Sequence, residues 1–100
     1  MPIYLVTQVK VLDPEKYKNY SQHGSSAAEQ YGGKFLVEGG APEIVEGKWD
    51  YPRMAIVEFP DRESALAFYN SPEYQAAKVI RQTLADFNMV LVDPKSGIQR

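Results

Sequence analysis

The chain has 100 residues, a hydrophobic fraction of 44%, a charged fraction of 24% and no cysteine. This length and balance are typical of one soluble domain with a single core, and the lack of thiols excludes disulfides, cysteine nucleophiles and zinc–thiolate sites. Because the formal net charge is -2 with scattered Lys and Arg, we expect no nucleic-acid partner. We also expect no membrane-spanning segment and no signal peptide, and therefore a cytoplasmic protein.

The first predicted element is a β-strand over residues 3–11, IYLVTQVKV, which is rich in β-branched and aromatic residues. Asp13 and Pro14 then predict a helix start, since aspartate is a preferred N-cap and proline fits the first helical position. We expect this helix to run over 14–31 and to end at the pair of glycines that follows. Its inward face is predicted from spacings of three and four: Tyr17, Tyr20, Gly24, Ala27, Ala28 and Tyr31.

The middle of the chain predicts two more strands. A short strand over 34–38 precedes a turn that is rich in glycine and proline, and residues 43–46 can resume this strand before the Gly47 turn. The segment 52–59, PRMAIVEF, has the clearest strand pattern of the chain. The two strands therefore form a predicted hairpin with a long connection.

The last third of the chain predicts two helices and a strand. A capped helix over 61–69 is followed by a second capped helix over 72–85, and NMVLVD at 88–93 forms the last strand before a polar tail at 94–100. The predicted inward residues of the first of these helices are Ala65, Leu66 and Tyr69.

The order strand, helix, strand, strand, helix, strand, with one extra short helix, predicts a single ferredoxin-like α+β domain. Its antiparallel sheet would carry the helices on one face. The strands are nevertheless apolar on both faces: Ile3 and Leu5 point to one side of the first strand, whereas Tyr4 and Val6 point to the other. Since large exposed apolar patches are rare on monomers, we expect a homodimer that forms through the free face of the sheet.

Stretches along the whole chain resemble one known family. The resemblance rests on a Tyr near the start of the first strand and on DPEKYKNY, YGGKFLVEGG, EGKW, PRMAIVEFPDRESALAFYNSPEYQ and the Arg of KVIRQ, in this order over about residues 3–93. By these motifs the chain is identified as a member of the family of the domain of unknown function 1330. That family is similar in fold to the dimeric α+β barrels, in which two ferredoxin-like sheets pack face to face.

The resemblance also carries expectations about function. The superfamily includes cofactor-free monooxygenases, chlorite-dismutase-like and muconolactone-isomerase-like enzymes, and many small proteins with no assigned activity. Its enzymes place a small cleft between sheet and helices, and no residue here matches a haem-ligating or metal-binding motif of those relatives, so no cofactor and no metal are expected. The polar residues that the resemblance assigns to the cleft are Arg53, Glu58, Tyr69, Ser71, Tyr74 and Arg81, with weaker claims for Asp86 and Asn88.

Tyr74 and Arg81 have two interpretations. On a helical wheel they share one side of the last predicted helix, opposite the apolar residues Val79 and Ile80. The favoured interpretation is that the apolar side packs, so that Tyr74 and Arg81 face solvent or a partner subunit. The alternative is that their guanidinium and phenol bind an anionic or carbonyl-bearing ligand.

Glu58 and His23 are the candidate acid–base groups. A carboxyl in an apolar strand is either paired or has a raised pKa, and for Glu58 a structural salt bridge is the favoured interpretation. His23, the only histidine, is interpreted first as an ordinary residue at the edge of the apolar face of its helix and second as a lone acid–base catalyst. Trp49 is expected either across the mouth of a cleft or against the partner subunit.

Two functions follow from the sequence. The first is a small-molecule binder or enzyme without cofactor, whose ligand is held by Arg53, Tyr69, Ser71, Tyr74 and Arg81. In this function Glu58 or His23 would act as the acid or base. The second is a non-catalytic dimeric module that binds a ligand or a protein in regulation or stress response.

Overall fold

The computed structural model describes residues 2–95 of the chain. Over these residues it contains four strands and three helices. In chain order they are β1 (Ile3–Val11), α1 (Pro14–Gln30), β2 (Lys34–Gly40), β3 (Arg53–Phe59), α2 (Arg62–Tyr69), α3 (Pro72–Arg81) and β4 (Ala85–Val92). No helix in this part of the chain is long and apolar enough to cross a membrane.

The four strands form one antiparallel sheet in the order β2-β3-β1-β4. This order confirms the predicted ferredoxin-like α+β fold. In its centre, Leu5 of β1 lies opposite Val57 of β3 and Leu91 of β4. The core forms where these side chains meet the helices, and its buried members include Ile3, Leu5, Tyr20, Ala28, Val57, Phe59, Ala65, Phe68, Tyr74 and Ala77.

Side-chain caps begin all three helices, as the sequence predicts. The carboxylates of Asp13 and Asp61 accept hydrogen bonds from the backbone N–H groups of Lys16, at 3.2 Å, and Ser64, at 2.7 Å. At α3, the Ser71 hydroxyl accepts from the Tyr74 backbone N–H at 3.1 Å and donates to the Phe68 carbonyl at 2.7 Å. Each cap satisfies a backbone donor that would otherwise lack a partner.

Gly33 sets the distance between α1 and the sheet. A Cβ atom at this position would lie 2.8 Å from the carbonyl oxygen of Ala28 and 2.9 Å from a methyl group of Val57. Both distances are too short for a carbon atom, so only glycine lets β2 begin directly beneath the end of α1. The predicted glycine stop after this helix is therefore also a packing requirement.

Two predicted boundaries were wrong. The helix predicted over 72–85 ends at Arg81, and β4 begins at Ala85 instead of residue 88. The reason is that the Leu84 carbonyl accepts a hydrogen bond from the Leu12 backbone N–H at 2.7 Å, which brings this segment beside the end of β1. Residues 43–46 also do not resume a strand, and Pro42 has no N–H to continue the ladder beyond Gly40.

The favoured interpretation of α3 was wrong as well. Tyr74 and Ala77 are each only 1% exposed, whereas Val79 on the opposite side is 70% exposed. The ring of Tyr74 packs on Phe68, with 4.7 Å between ring centroids, and α3 as a whole packs on α1. The side that carries Tyr74 is therefore the packed side, because an aromatic ring buries more apolar area than a valine.

The opposite face of the sheet carries no helix among the described elements. Partly or largely exposed apolar side chains lie on it, as the strand pattern predicts: Tyr4, Val6, Met54, Ile56, Val90 and Val92. Val6 lies at its centre, directly opposite Ile56 on one neighbouring strand and Val90 on the other. We call this surface the free sheet face.

Candidate functional site

A cleft of about 360 Å³ opens between α2, α3 and β4. Its walls are mostly aromatic and aliphatic and include Leu5, Ala65, Leu66, Tyr69, Tyr74, Phe87, Met89 and Leu91. Among the lining residues of the described chain, Arg81 is the only one with an ionised side chain. We call this space the Arg81 cleft, since that guanidinium sets its charge.

The guanidinium of Arg81 lies over aromatic rings. Its Cζ atom is 4.0 Å from the ring centroid of Phe87 and 5.7 Å from that of Tyr20. These rings attract the positive charge through their faces, but they accept no hydrogen bond in the plane of the guanidinium. Consistent with this, the buried Nε of Arg81 has no hydrogen-bond partner among residues 2–95. This N–H donor therefore has no acceptor within the described part of the chain.

Two buried phenols lie beside this guanidinium. The hydroxyl oxygens of Tyr20 on α1 and Tyr74 on α3 are 3.0 Å apart, so one phenol donates a hydrogen bond to the other. Burial raises the pKa of Tyr17 to about 12, and the Arg81 charge offsets this only in part. Burial raises the pKa of Tyr20 further above its ordinary value, and the neighbouring Tyr74 adds to the rise. Tyr17 and Tyr20 therefore keep their protons at neutral pH.

This burial predicts a loss of stability in alkali. Because the pKa of Tyr17 and Tyr20 is higher in the folded chain than the value of about 10 for a free phenol, the unfolded chain releases protons that the folded chain keeps. The contribution of these two protonated phenols to the free energy of unfolding is therefore complete below about pH 10 and is lost as the pH rises towards 12 and above. We expect the free energy of unfolding, measured with urea between pH 8 and 11, to fall less steeply for Tyr20→Phe than for the unchanged chain.

The matched control is Tyr51→Phe, which removes a phenol outside this cluster and should leave the slope unchanged. If the free energy of unfolding falls equally steeply with pH for Tyr20→Phe and the unchanged chain, the loss of stability in alkali does not come from Tyr20. Absorbance titration of the seven tyrosines gives an independent reading, since Tyr20 should ionise only as the protein unfolds.

A second hollow of about 230 Å³ lies between α1 and strands β1, β2 and β3. We call it the inner cavity. Leu5, Tyr74, Phe87 and Met89 line both this cavity and the Arg81 cleft. The exposed rim of the inner cavity includes Glu38, Gly39 and Arg53, and its remaining walls are largely apolar.

The structure brings three of the predicted ligand-binding residues together. Tyr69, Tyr74 and Arg81 all line the Arg81 cleft, and Asn88 borders it from the edge strand β4. Lys78 adds a second cation at the margin, since its Nζ donates a hydrogen bond to the Tyr69 hydroxyl at 3.0 Å. The sequence interpretation did not assign Phe87 or Tyr20 to a site, because their stacking on Arg81 depends on how α1, α3 and β4 meet.

The other predicted ligand-binding residues lie elsewhere. The hydroxyl of Ser71 is occupied as the cap of α3, and Arg53 lies on the rim of the inner cavity, where its guanidinium donates to the Gly39 carbonyl at 3.4 Å. Asp86, which had a weaker claim, is exposed and lies opposite Lys10. Ser71 and Arg53 therefore do not line the Arg81 cleft.

The two candidate acid–base residues lie outside the cleft and the inner cavity. Glu58 is on the free sheet face, where Tyr4 and Lys34 are its cross-strand neighbours. His23 is exposed on α1, with its Nδ1 2.7 Å from the Asn19 carbonyl oxygen. Their catalytic roles stay predictions.

Trp49 lies in the connection between β2 and β3 and is 42% exposed. It lines a separate surface hollow together with Ile44 and Met54. Within residues 2–95, no group of three or more His, Cys, Asp or Glu side chains is placed to hold a metal ion.

Solved structures with this fold cover nearly all of the chain. A protein of unknown function from Rhodopseudomonas palustris, RPA0582, is 20% identical with a TM-score of 0.74, over 96% of this chain and 84% of that one. A dimeric ferredoxin-like protein of unknown function from Jannaschia sp. CCS1 is 15% identical with a TM-score of 0.74, over 93% and 99% of the two chains. SnoaB, a cofactor-independent oxygenase from Streptomyces nogalater, is 11% identical with a TM-score of 0.70, over 99% and 98%.

At these identities the likeness establishes the fold alone. None of the curated proteins compared with this chain matches it. The sequence model of one family, described as Domain of unknown function (DUF1330), matches residues 2–94, and the chain belongs to that family.

Proposed function

We propose that this chain is the subunit of a cytoplasmic homodimer that binds a small organic anion in the Arg81 cleft. The observation that carries the proposal is the buried Nε of Arg81, which has no acceptor among residues 2–95. An unsatisfied buried donor costs about 1–3 kcal/mol, and more when it is charged. A carboxylate or enolate oxygen from a ligand would remove this penalty and neutralise the charge.

The walls of the cleft favour an organic ligand over an inorganic ion. Small-molecule sites have volumes of about 300–1,000 Å³ and are lined mainly by apolar and aromatic side chains with few polar groups. The Arg81 cleft has both properties, with a volume of about 360 Å³. An anion with a ring or short carbon chain could place its charge at Arg81 and its carbons against Phe87 and Leu66.

The polar groups of the cleft suit binding. The guanidinium of Arg81 and the phenols of Tyr69 and Tyr74 are hydrogen-bond donors to an anionic or carbonyl oxygen. Acid–base chemistry by Glu58 or His23 would need a ligand that reaches beyond the cleft. A non-catalytic module for regulation would use the same binding step, so the first experiment concerns binding itself.

We expect calorimetric titration to show that benzoate binds and that its neutral isostere benzamide binds at least about tenfold more weakly. Arg81→Gln should weaken benzoate binding by about tenfold or more, because a hydrogen bond to a charged group contributes about 1.5–3 kcal/mol. Arg81→Lys keeps the charge but lacks the fork of donors, so we expect an intermediate affinity.

Arg62→Gln is the matched control, because this exposed arginine on α2 lies outside the cleft and should leave the affinity unchanged. Equal binding of benzoate and benzamide would contradict an anion site. Benzoate binding that survives in Arg81→Gln would place the ligand elsewhere.

A further inference from the structure

The geometry points to one continuous binding channel made of the Arg81 cleft and the inner cavity, which takes an elongated organic acid with its anionic head at Arg81 and an apolar tail in the inner cavity. This inference rests on the proposed function and adds the class of ligand. It concerns an unbranched or ring-bearing acid with a tail of several carbons.

The two spaces meet at a shared wall. Leu5, Tyr74, Phe87 and Met89 line both of them. The guanidinium of Arg81 lies against this wall, since its Cζ is 4.0 Å from the Phe87 ring centroid. A carboxylate held by Arg81 would therefore have its first carbons beside the wall that the cleft shares with the inner cavity.

The inner cavity has the chemistry of a tail site. The inner cavity has a volume of about 230 Å³ and opens to the surface at the rim that carries Glu38, Gly39 and Arg53. Its walls are largely aliphatic and aromatic, and they include Val9, Val11, Phe35 and Val57. On the cavity side these apolar walls have no protein atoms in dispersion contact, and a hydrocarbon tail would supply such contacts.

The volumes also favour a joint site. At about 230 Å³, the inner cavity is below the range of about 300–1,000 Å³ that is typical of small-molecule sites. It would extend the larger Arg81 cleft instead of forming a site by itself. Met89 is the adaptable part of the shared wall, because it is only partly buried and its unbranched side chain has several rotatable bonds.

The test is calorimetric titration with butyrate, hexanoate and octanoate. In the unchanged chain we expect the affinity to rise about two- to fourfold for each added methylene, which corresponds to the burial of that group in an apolar site. Gly24→Leu should abolish this rise, because Gly24 lines the inner cavity and a Cβ there meets only ordinary contacts, 3.6 Å from Tyr20.

Ser26→Leu is the matched control, since Ser26 is exposed on the same helix; the rise should persist in it. Circular dichroism and thermal melting report whether Gly24→Leu folds. If that variant does not fold, Val11→Phe takes its place, because Val11 is a partly exposed residue that lines the same cavity. Equal affinities for butyrate, hexanoate and octanoate would overturn the channel, and so would a rise that persists in Gly24→Leu. Neither result would contradict the proposed function, which depends on benzoate binding at Arg81. If none of the acids, benzoate included, binds, both the channel and the proposed function are wrong.

Discussion

Tyr74→Ala is expected to lower the free energy of unfolding by about 3–5 kcal/mol, the range for truncation of a large buried aromatic residue. Tyr74 is almost fully buried, and its ring centroid lies 4.7 Å from that of Phe68 and 5.5 Å from that of Tyr69. The substitution would open a cavity among these rings. It would also leave the buried hydroxyl of Tyr20 without its partner.

Urea denaturation followed by circular dichroism, at one protein concentration, measures this effect. Tyr74→Phe isolates the hydroxyl and should cost only about 1 kcal/mol, since the ring remains. Val79→Ala on the exposed side of the same helix is the control, with an expected change within about 0.5 kcal/mol. A cost below about 1.5 kcal/mol for Tyr74→Ala, which is less than the usual cost of a core truncation, would mean that α3 does not pack through this residue.

Val6→Glu is expected to break the proposed dimer and to leave the subunit folded. Val6 lies at the centre of the free sheet face, between Ile56 and Val90. In a two-fold dimer through this face, the substitution would bury two unpaired carboxylates, and each would cost several kcal/mol. Since about 1.4 kcal/mol is a factor of ten, we expect the dissociation constant to rise by at least about a hundredfold.

Sedimentation velocity at micromolar concentration tests this prediction, with Val79→Glu as the matched control. That variant makes the same chemical change on the helical side of the molecule, where Val79 is largely exposed, and should remain dimeric. If the unchanged chain sediments as a monomer, or if Val6→Glu sediments as a dimer, the subunits do not associate through the free sheet face.

Local patterns predicted the elements of this fold well. The caps at Asp13, Asp61 and Ser71 are short-range features, and each side chain accepts a hydrogen bond from a backbone N–H three residues later. The consecutive apolar residues 3–6 of β1 likewise predicted a sheet that is apolar on both faces. Such features need no knowledge of the tertiary structure, because neighbouring residues determine them.

The orientation of α3 could not be predicted in this way. A helical wheel ranks Val79 as apolar and Tyr74 as polar, but the phenol ring is mostly hydrocarbon and finds a hydrogen-bond partner in Tyr20. The long stem of Arg81 can likewise cover apolar surface while its charged end remains polar. Which side of α3 packs was therefore decided by aromatic residues of α1 and α2 that are distant in sequence.

The candidate site was only partly predictable for the same reason. The resemblance to the family selected Tyr69, Tyr74 and Arg81, which do line one cleft. It also selected Glu58, which the register of the sheet places on the opposite face. The contact between Arg81 and Phe87 depends on where α3 ends and β4 begins, and the predicted helix end was four residues too late.

A crystal structure of the benzoate complex tests the central claim most directly. We predict one benzoate per subunit, with a carboxylate oxygen within about 3 Å of the Arg81 Nε and the ring among Leu66, Tyr69 and Phe87. Two results would contradict the claim that the Arg81 guanidinium binds the anionic ligand. One is benzoate bound away from the cleft, and the other is an Arg81 Nε that donates to an acidic side chain of the partner subunit.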